Sequence, residues 1–313
     1  MIMAPAVAGR IARRRVDGML LLDKPSGITS NAALQRAKRA FRAEKAGHTG
    51  TLDPLASGLL PLCFGDATKF AQSLLDARKA YVATVRFGIA TSTGDAEGET
   101  IAEHPVSFSR ADLDAALLPF LGRTRQVPPR HSALKHEGRA HYEYARAGVD
   151  VPRVARDVDI GAIEILAFDL PAVTMRVECG KGTYIRVLAE DLGLALRTCA
   201  HLAALRRTAS GAFRLEDAVT LAALEALDPD ARDALLLPVD APLAGLPAIA
   251  VDATTEAALM QGRTAAAPDA AQGLCRCYGP GQRFLGLVEV AGGVLRVQRL
   301  TRTDAPGLPI DPD

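Results

Sequence analysis

Residues 173–196 join a strand pattern to a helix pattern, and this join constrains the fold more than any other feature. Apolar side chains occupy every second position from Val173 to Cys179, which is typical of a half-buried β-strand. From Ile185 to Leu196 the apolar spacing becomes three and four residues, which predicts an amphipathic helix. Further strands and helices are interleaved without a regular βαβ rhythm. The sequence therefore predicts an α+β fold with a mixed, largely antiparallel sheet.

The N-terminal region shows the same sequence of elements. Gly18 to Asp23 reads as a short buried strand that ends at a turn with the sequence KPSG. Thr29 and Ser30 are good helix caps, and the following residues predict a helix with a basic exterior. Residues 79–88 are rich in β-branched and aromatic side chains and predict another strand.

Three prolines at 238, 242 and 247 suggest a linker to a second unit, as the 313-residue length allows about two domains. Three short strands are predicted beyond it, at 274–278, 284–290 and 294–300, and Gly292-Gly293 would form a tight hairpin turn. We therefore divide the chain into a basic flexible leader (1–17), a main domain (18–245) and a small β-rich module (246–313) with a loose tail.

Several protein classes are excluded. The hydrophobic fraction of 49% beside 23% charged residues excludes global disorder, and no apolar run approaches the ~18–20 residues of a membrane span. The N-terminus is apolar first and basic afterwards, the reverse of a secretory signal, which favours a cytoplasmic protein. Five scattered cysteines, with one C-x-C pair, are a poor zinc template and are expected to be reduced and mostly buried.

The net charge of +1 conceals strong segregation along the chain. Residues 1–50 carry 10 basic and 3 acidic residues, residues 121–156 carry 8 and 3, and residues 176–214 carry 7 and 3. The compensating acidic block is 215–260, with 1 basic and 9 acidic residues. Any one block is compatible with solvated surface, but three separate basic blocks indicate a surface for nucleic acid.

The stretch from Gly47 to Gly58 is the most unusual segment, with the sequence GHTGTLDPLASG. Three glycines and a proline predict a tight loop with special backbone conformations, and Asp53 is its only carboxylate. The loop lacks the lysine of a P-loop. An aspartate before a proline is more often a turn or cap residue than a catalyst, so the pattern alone leaves both roles open.

The segment resembles the catalytic motif of pseudouridine synthases of the TruB type. Further stretches resemble the other motifs of this family in order, from about residue 18 to 225; they are GMLLLDKPSGITS, FGDATKFAQSLLDARKAYVATVRFG, RQVPPRHSALKHEGRAHYEYARAG, VECGKGTYIRVLAEDLG and HLAALRRTASGAF. The resemblance implies a pseudouridine synthase catalytic domain with an RNA-contacting insertion at about 123–153. It also implies a small PUA-like C-terminal domain.

The resemblance further implies that the chain converts uridine 55 in the TΨC loop of tRNA to pseudouridine, without metal or organic cofactor. It assigns Asp53 as the nucleophile and Arg186 as the cation that holds it, whether attack or elimination at the sugar operates. The substrate-binding residues implied are His48, Tyr81, Tyr184, Leu205 and Lys24, the last as a structural or phosphate contact. We expect RNA phosphate contacts from Arg130, Lys135, Arg139, Arg206 and Arg207.

Two other functions remain open. A non-catalytic RNA-binding or RNA-chaperone protein would keep the basic surface and the stacking aromatic rings without needing Asp53. A guide-RNA-dependent synthase would work inside a ribonucleoprotein, but the compact length and the insertion favour a stand-alone enzyme. We expect the tRNA T-arm as the partner, a monomer, no obligate protein partner and no membrane association.

Overall fold

A computed structural model describes residues 12–132, 134–267 and 272–302. The strands are β1 (Gly18–Lys24), β2 (Ala46–His48), β3 (Ser57–Phe64), β4 (Lys79–Phe87), β5 (Ile89–Thr91), β6 (Thr100–Glu103), β7 (Gly122–Gln126), β8 (Lys135–His136), β9 (Arg139–Ala140), β10 (Arg156–Asp169), β11 (Ala172–Cys179), β12 (Ala200–Ser210), β13 (Phe213–Arg214), β14 (Val219–Thr220), β15 (Ala248–Ala250), β16 (Ala265–Ala266), β17 (Gly273–Tyr278), β18 (Phe284–Ala291) and β19 (Val294–Leu300). The α-helices are α1 (Ser30–Ala40), α2 (Ala71–Asp76), α3 (Arg110–Leu117), α4 (His141–Arg146), α5 (Ile185–Ala195), α6 (Leu221–Ala226), α7 (Pro229–Asp233) and α8 (Ala253–Met260).

A ten-stranded mixed sheet forms the main domain. Its order is β14-β1-β3-β12-β4-β11-β10-β7, with β2 beside β3 and β13 beside β12. Only the β1–β14 and β3–β12 pairings are parallel among the described strands of this sheet. The predicted α+β class with a mixed, largely antiparallel sheet is therefore confirmed.

The strand-to-helix join at 173–196 builds the centre of this domain. Strand β11 buries Val173, Met175, Val177 and Cys179 on one face, as the alternation predicts. Helix α5 places its apolar residues in the same core, which also receives side chains of β4 and β12. Because α5 begins directly after the loop at 180–184, this packing fixes the position of that loop over the sheet.

The N-terminal elements agree with the sequence prediction. The strand β1 is buried along almost its whole length between β3 and β14. Thr29 is the N-cap of α1, and its hydroxyl accepts a hydrogen bond from the Ala32 amide. Leu34, Ala37 and Phe41 are buried, while the basic side chains of the helix lie on its other faces. This helix is predictable because its cap and its apolar residues lie close together in sequence.

A second sheet forms the C-terminal module, with the order β15-β17-β18-β19-β16. Gly292 and Gly293 have φ values of 58° and 74° and form the predicted hairpin turn between β18 and β19. The five cysteines are free and buried, as expected. None of the described helices is long and apolar enough to cross a bilayer.

Two connecting segments pack against the main domain. Next to the proline-rich stretch at 238–247, Leu237 pairs with Met19 of β1, and Leu243 within the stretch is buried. In the leader, Val16 is buried, and Arg14 donates to Phe41 O and pairs with Asp233. The predicted linker and the flexibility of the leader stay predictions. Leader residues 1–11 and the tail at 303–313 lie outside the described residues.

Candidate active site

Asp53 and Arg186 meet at the centre of the main sheet. Asp53 lies on the loop between β2 and β3, and Arg186 lies in the first turn of α5. Arg186 Nη2 is 3.0 Å from Asp53 Oδ2, and the two side chains are 6% and 42% exposed, respectively. A buried guanidinium thus holds a carboxylate that is still accessible, which is the arrangement needed for a fixed, ionised nucleophile.

Arg186 is itself fixed by three further oxygen groups. Its Nη1 lies 3.5 Å from Asp95 Oδ2 and donates to Thr93 O at 3.1 Å. Its Nη2 donates to His131 O at 2.8 Å. Asp95 is almost fully buried, so two carboxylates share one guanidinium. The segments that contain Thr93, Asp95 and His131 therefore hold the Arg186 side chain in place in the absence of substrate.

The environment of Asp53 raises the pKa of its carboxyl above the ordinary value. Burial is the main cause, and the nearby Asp95 charge acts in the same direction. Arg186 and Lys24 oppose it with their positive charges. The carboxylate is thus less hydrated than in water but still paired with a cation, which favours its use as a nucleophile.

A cavity of about 290 Å³ opens above this ion pair. It is close to the lower end of the ~300–1,000 Å³ range of ligand pockets. Tyr81 on β4, Leu205 on β12 and Tyr184 at the start of α5 line it together with Asp53 and Arg186. The rings of Tyr81 and Tyr184 and the side chain of Leu205 surround the Asp53 carboxylate, so the cavity can bind a flat, polar ring such as a base.

The loop that carries Asp53 is held by the N-terminal motif. The Ser30 hydroxyl donates to Leu52 O at 2.8 Å and accepts from Leu52 N at 2.7 Å, while Gly27 N donates to Pro54 O at 2.8 Å. Lys24 Nζ donates to the carbonyls of Pro25 and Ile28 at 2.9 and 2.7 Å. Both neighbours of Asp53 are thereby fixed.

Lys24 is fully buried, and desolvation lowers the pKa of its ammonium to about 8. Its hydrogen bonds fit the structural role predicted for Lys24, and its contact with phosphate stays a prediction.

Arg207 holds the same loop from the other side. Its Nε donates to Leu59 O at 2.6 Å and its Nη2 to Gly50 O at 3.1 Å. Gly58 has a φ of 101°, and a Cβ there would lie 2.3 Å from Arg207 O, so only glycine allows this close approach. Arg207 is 1% exposed and lines the cavity, and its predicted contact with an RNA phosphate stays a prediction.

His48 is not among the residues that line the cavity. It is the last residue of β2 and pairs with Leu62 of β3. Its Nδ1 is buried and has no hydrogen-bond partner among the described residues, and burial lowers the pKa of the imidazole. His48 lies five residues before Asp53, and its predicted contact with substrate stays a prediction.

The other four residues expected to contact RNA phosphates are not among those that line the cavity. Arg130 pairs with Asp150 at 3.1 Å and is half-exposed, and Lys135 is exposed on the short hairpin formed by β8 and β9. Arg139 stacks over the Tyr144 ring at 4.9 Å. Arg206 pairs with both carboxylate oxygens of Asp23, at 3.2 and 2.8 Å. Their RNA contacts stay predictions.

Three residues that organise the site were not predicted as functional. Asp95 lies beside Arg186, and Gln126 hydrogen-bonds to the backbone of Tyr184. Ser30 was interpreted only as a helix cap. No local pattern marks these roles, because each partner is distant in sequence. In the described part of the chain no group of three or more His, Cys, Asp or Glu residues forms a metal-site candidate.

Three family models match this chain. The TruB family pseudouridylate synthase N-terminal domain matches residues 38–185. The tRNA pseudouridylate synthase B C-terminal domain matches 186–244, and the pseudouridine synthase II TruB C-terminal model matches 247–301.

Curated relatives match over nearly the whole chain. The tRNA pseudouridine synthase B of Aromatoleum aromaticum is 56% identical, with 95% of this chain and 96% of the relative covered. The protein of the same name in Thiobacillus denitrificans is 55% identical, with 93% and 98% covered. That of Burkholderia mallei is 54% identical, with 95% and 97% covered.

Solved structures give the same fold at lower identity. A chain in the crystal structure of a Cbf5-Nop10-Gar1 complex superposes with a TM-score of 0.70 at 27% identity. The match covers 90% of this chain and 84% of the other. A chain of the archaeal box H/ACA sRNP Nop10-Cbf5 complex gives a TM-score of 0.69, with 90% and 85% covered.

Proposed function

The chain belongs to the TruB family of pseudouridylate synthases, and we propose that it isomerises uridine 55 in the TΨC loop of tRNA to pseudouridine. The curated relatives with more than half of their residues identical carry the name tRNA pseudouridine synthase B. The observation that carries the proposal is the Asp53–Arg186 ion pair at the base of a cavity lined by Tyr81 and Tyr184.

Asp53 supplies the nucleophile. Its carboxylate attacks C1′ of the target nucleotide, and the N1–C1′ glycosidic bond breaks as the Asp53–C1′ bond forms. The uracil then rotates within the cavity. C5 bonds to C1′ as the Asp53–C1′ bond breaks, C5 loses its proton and N1 gains one, so that the product is an isomer of the substrate. The pairing of Arg186 with Asp53 keeps the carboxylate ionised and directed at the sugar. The net reaction is redox-neutral.

The cavity receives the uracil of a nucleotide that has flipped out of the base stack of the tRNA. Flipping a nucleotide costs a few kcal/mol, and an aromatic face returns ~1–3 kcal/mol per base. Tyr81, Tyr184 and Leu205 supply the surfaces against the base, and His48 fills the place that the nucleotide vacates. Arg130, Lys135, Arg139 and Arg206 contribute phosphate contacts on the T-arm, which would require Arg130 and Arg206 to exchange their carboxylate partners for phosphate.

The enzyme acts as a monomer in the cytoplasm, without a protein or guide-RNA partner. The neighbours in Cbf5 complexes share the fold at 27% identity, whereas the curated tRNA enzymes are about twice as similar in sequence. Purified protein and an unmodified tRNA transcript therefore suffice for activity, and light scattering should give the mass of one chain. Activity that appeared only with a guide RNA would favour the ribonucleoprotein alternative.

The test is tritium release from tRNA that carries [5-³H]uridine. Wild-type protein should release one tritium per tRNA, and a transcript with uridine 55 replaced by cytidine should release none. Asp53→Asn should bind the tRNA with unchanged affinity and release no tritium, because an amide cannot act as the nucleophile. Equal release by Asp53→Asn, or no release by the wild type, would instead indicate an RNA-binding protein without this activity.

A further inference from the structure

The insertion expected to contact RNA leaves the main sheet beside the candidate active site. Its two ends are paired as antiparallel strands, with Gln126 of β7 opposite Arg156 of β10. Gln126 is the last residue of its strand and only 4% exposed. A buried amide side chain is costly unless both of its polar groups are paired, so its partners matter.

Both groups of the Gln126 amide bond to one active-site residue. The Tyr184 amide donates to Gln126 Oε1 at 3.0 Å, and Gln126 Nε2 donates to Tyr184 O at 3.4 Å. Tyr184 is the N-cap residue of α5, and its own side chain makes no capping hydrogen bond. The amide of Gln126 therefore restricts the backbone torsions that set the direction of the Tyr184 ring and the start of α5.

The same segment also contacts the catalytic ion pair. Five residues after Gln126, His131 O accepts a hydrogen bond from Arg186 Nη2, the nitrogen that pairs with Asp53. Pro128 and Pro129 lie between them and are buried, and their rings limit the conformations of this stretch. We call residues 126–131 the insertion root. It is a short, stiff segment with one hydrogen-bonded contact to Tyr184 and another to Arg186.

We propose that Gln126 is a positioning residue for pseudouridine formation, which fixes Tyr184 and links the position of the insertion to the Arg186–Asp53 pair. This inference rests on the proposed function. Of the basic residues expected to contact RNA, Arg130 lies in the root itself, and Lys135 and Arg139 follow it. A tRNA that binds the insertion therefore acts on a segment already hydrogen-bonded to two residues of the cavity. Productive docking and alignment of the catalytic groups are coupled through the root.

The kinetic test compares Gln126→Leu with wild type in single-turnover and steady-state tritium release. Leucine keeps most of the side-chain volume but offers neither hydrogen bond. We expect kcat to fall about tenfold or more, because small displacements of positioned groups cost this much, while KM and the tRNA dissociation constant stay within about threefold. Gln298→Leu, which removes an exposed glutamine paired with Glu289 in the C-terminal module, should leave kcat unchanged.

A double-mutant comparison separates positioning from general structural damage. In a Tyr184→Leu background, Gln126→Leu should lower kcat by a clearly smaller factor than in wild type, because the ring it positions is gone while its bonds to the backbone of residue 184 remain. The same factor in both backgrounds, or an unchanged kcat in the single variant, would overturn the proposal. Should Gln126→Leu show no cooperative thermal transition, Gln126→Glu replaces it, because glutamate keeps an acceptor for the Tyr184 amide, and the same criteria apply.

Hydrogen exchange detects the contact between Gln126 and the Tyr184 backbone independently of enzymatic activity. The peptide containing the Tyr184 amide should exchange faster in Gln126→Leu than in wild type, and unchanged exchange would show that the side chain does not hold this backbone. Wild-type protein that released no tritium would refute the proposed function, and with it the positioning role of Gln126 in that reaction. The exchange result would still decide whether the contact exists.

Discussion

Arg186 contacts Asp53 at 3.0 Å with a side chain that is almost entirely withdrawn from solvent, while Asp53 keeps its other surface open to the cavity. The two side chains therefore differ in how tightly they are held. The cation is bound by Asp95 and by two backbone carbonyls and has little freedom. Arg186 holds the carboxylate at Oδ2, and 42% of the Asp53 side chain remains exposed.

Arg186→Gln should abolish most activity without preventing tRNA binding. Glutamine is uncharged and cannot direct the Asp53 carboxylate, so we expect kcat to fall by about 10²-fold or more, as for other lost charge-stabilising donors. Tritium release measures kcat, and filter binding measures affinity for tRNA. Arg176→Gln is the control, because Arg176 is half-exposed on β11 and pairs only with Glu164 among the described residues. A kcat within threefold of wild type for Arg186→Gln would contradict the role of the ion pair.

The pH dependence should follow Asp53. The nucleophile must be ionised and its pKa is raised by burial, so kcat/KM should increase with pH as this carboxyl loses its proton. Asp95→Asn removes a like charge that helps to raise this pKa, so the acidic limb should move to lower pH. Arg186→Gln removes the opposing cation and should move the limb of its residual activity to higher pH. Profiles of tritium release from about pH 4 to about pH 8 would check both directions. An acidic limb that both variants leave in place would exclude Asp53 as the titrating group.

The parts of the fold that follow from local patterns were predictable. The alternation in β11, the apolar spacing of α5 and the cap of α1 each involve residues close in sequence. The structural roles of Arg207 and Gln126 were not predictable in this way. Arg207 looks like a surface residue in a basic block, but its carbonyl partners at 50 and 59 lie about 150 residues away. The pairing of Leu237 with Met19 of β1 likewise joins residues far apart in sequence, and the prolines that follow do not reveal it.

Two glycines of the catalytic loop differ in the space around them, and this difference predicts how alanine at each position changes stability. Gly58→Ala should destabilise the protein by at least about 2 kcal/mol, since the residue combines a φ of 101° with a contact that leaves no room for a Cβ. Gly47→Ala is the matched control from the same motif, because nothing lies within 4 Å of a Cβ there. Urea unfolding of both variants measures the difference. Equal free energies of unfolding would mean that β3 and β12 do not approach each other as described at Arg207.

Ser30 and Thr29 are neighbouring hydroxyl residues with different partners, and this difference gives a paired test of how the catalytic loop is held. Ser30→Ala leaves both the amide and the carbonyl of Leu52 without their partner, and a buried group left unpaired costs about 1–3 kcal/mol. Because Leu52 precedes Asp53, we expect kcat to fall as well.

Thr29→Ala removes only the cap of α1, at about 1 kcal/mol, and should leave kcat unchanged. Thermal melting and tritium release on the two variants separate the outcomes. Activity in Ser30→Ala that equals that of Thr29→Ala would show that the hydroxyl stabilises the fold without positioning the nucleophile. A selective loss of kcat in Ser30→Ala would instead place the N-terminal motif within the machinery that aligns Asp53.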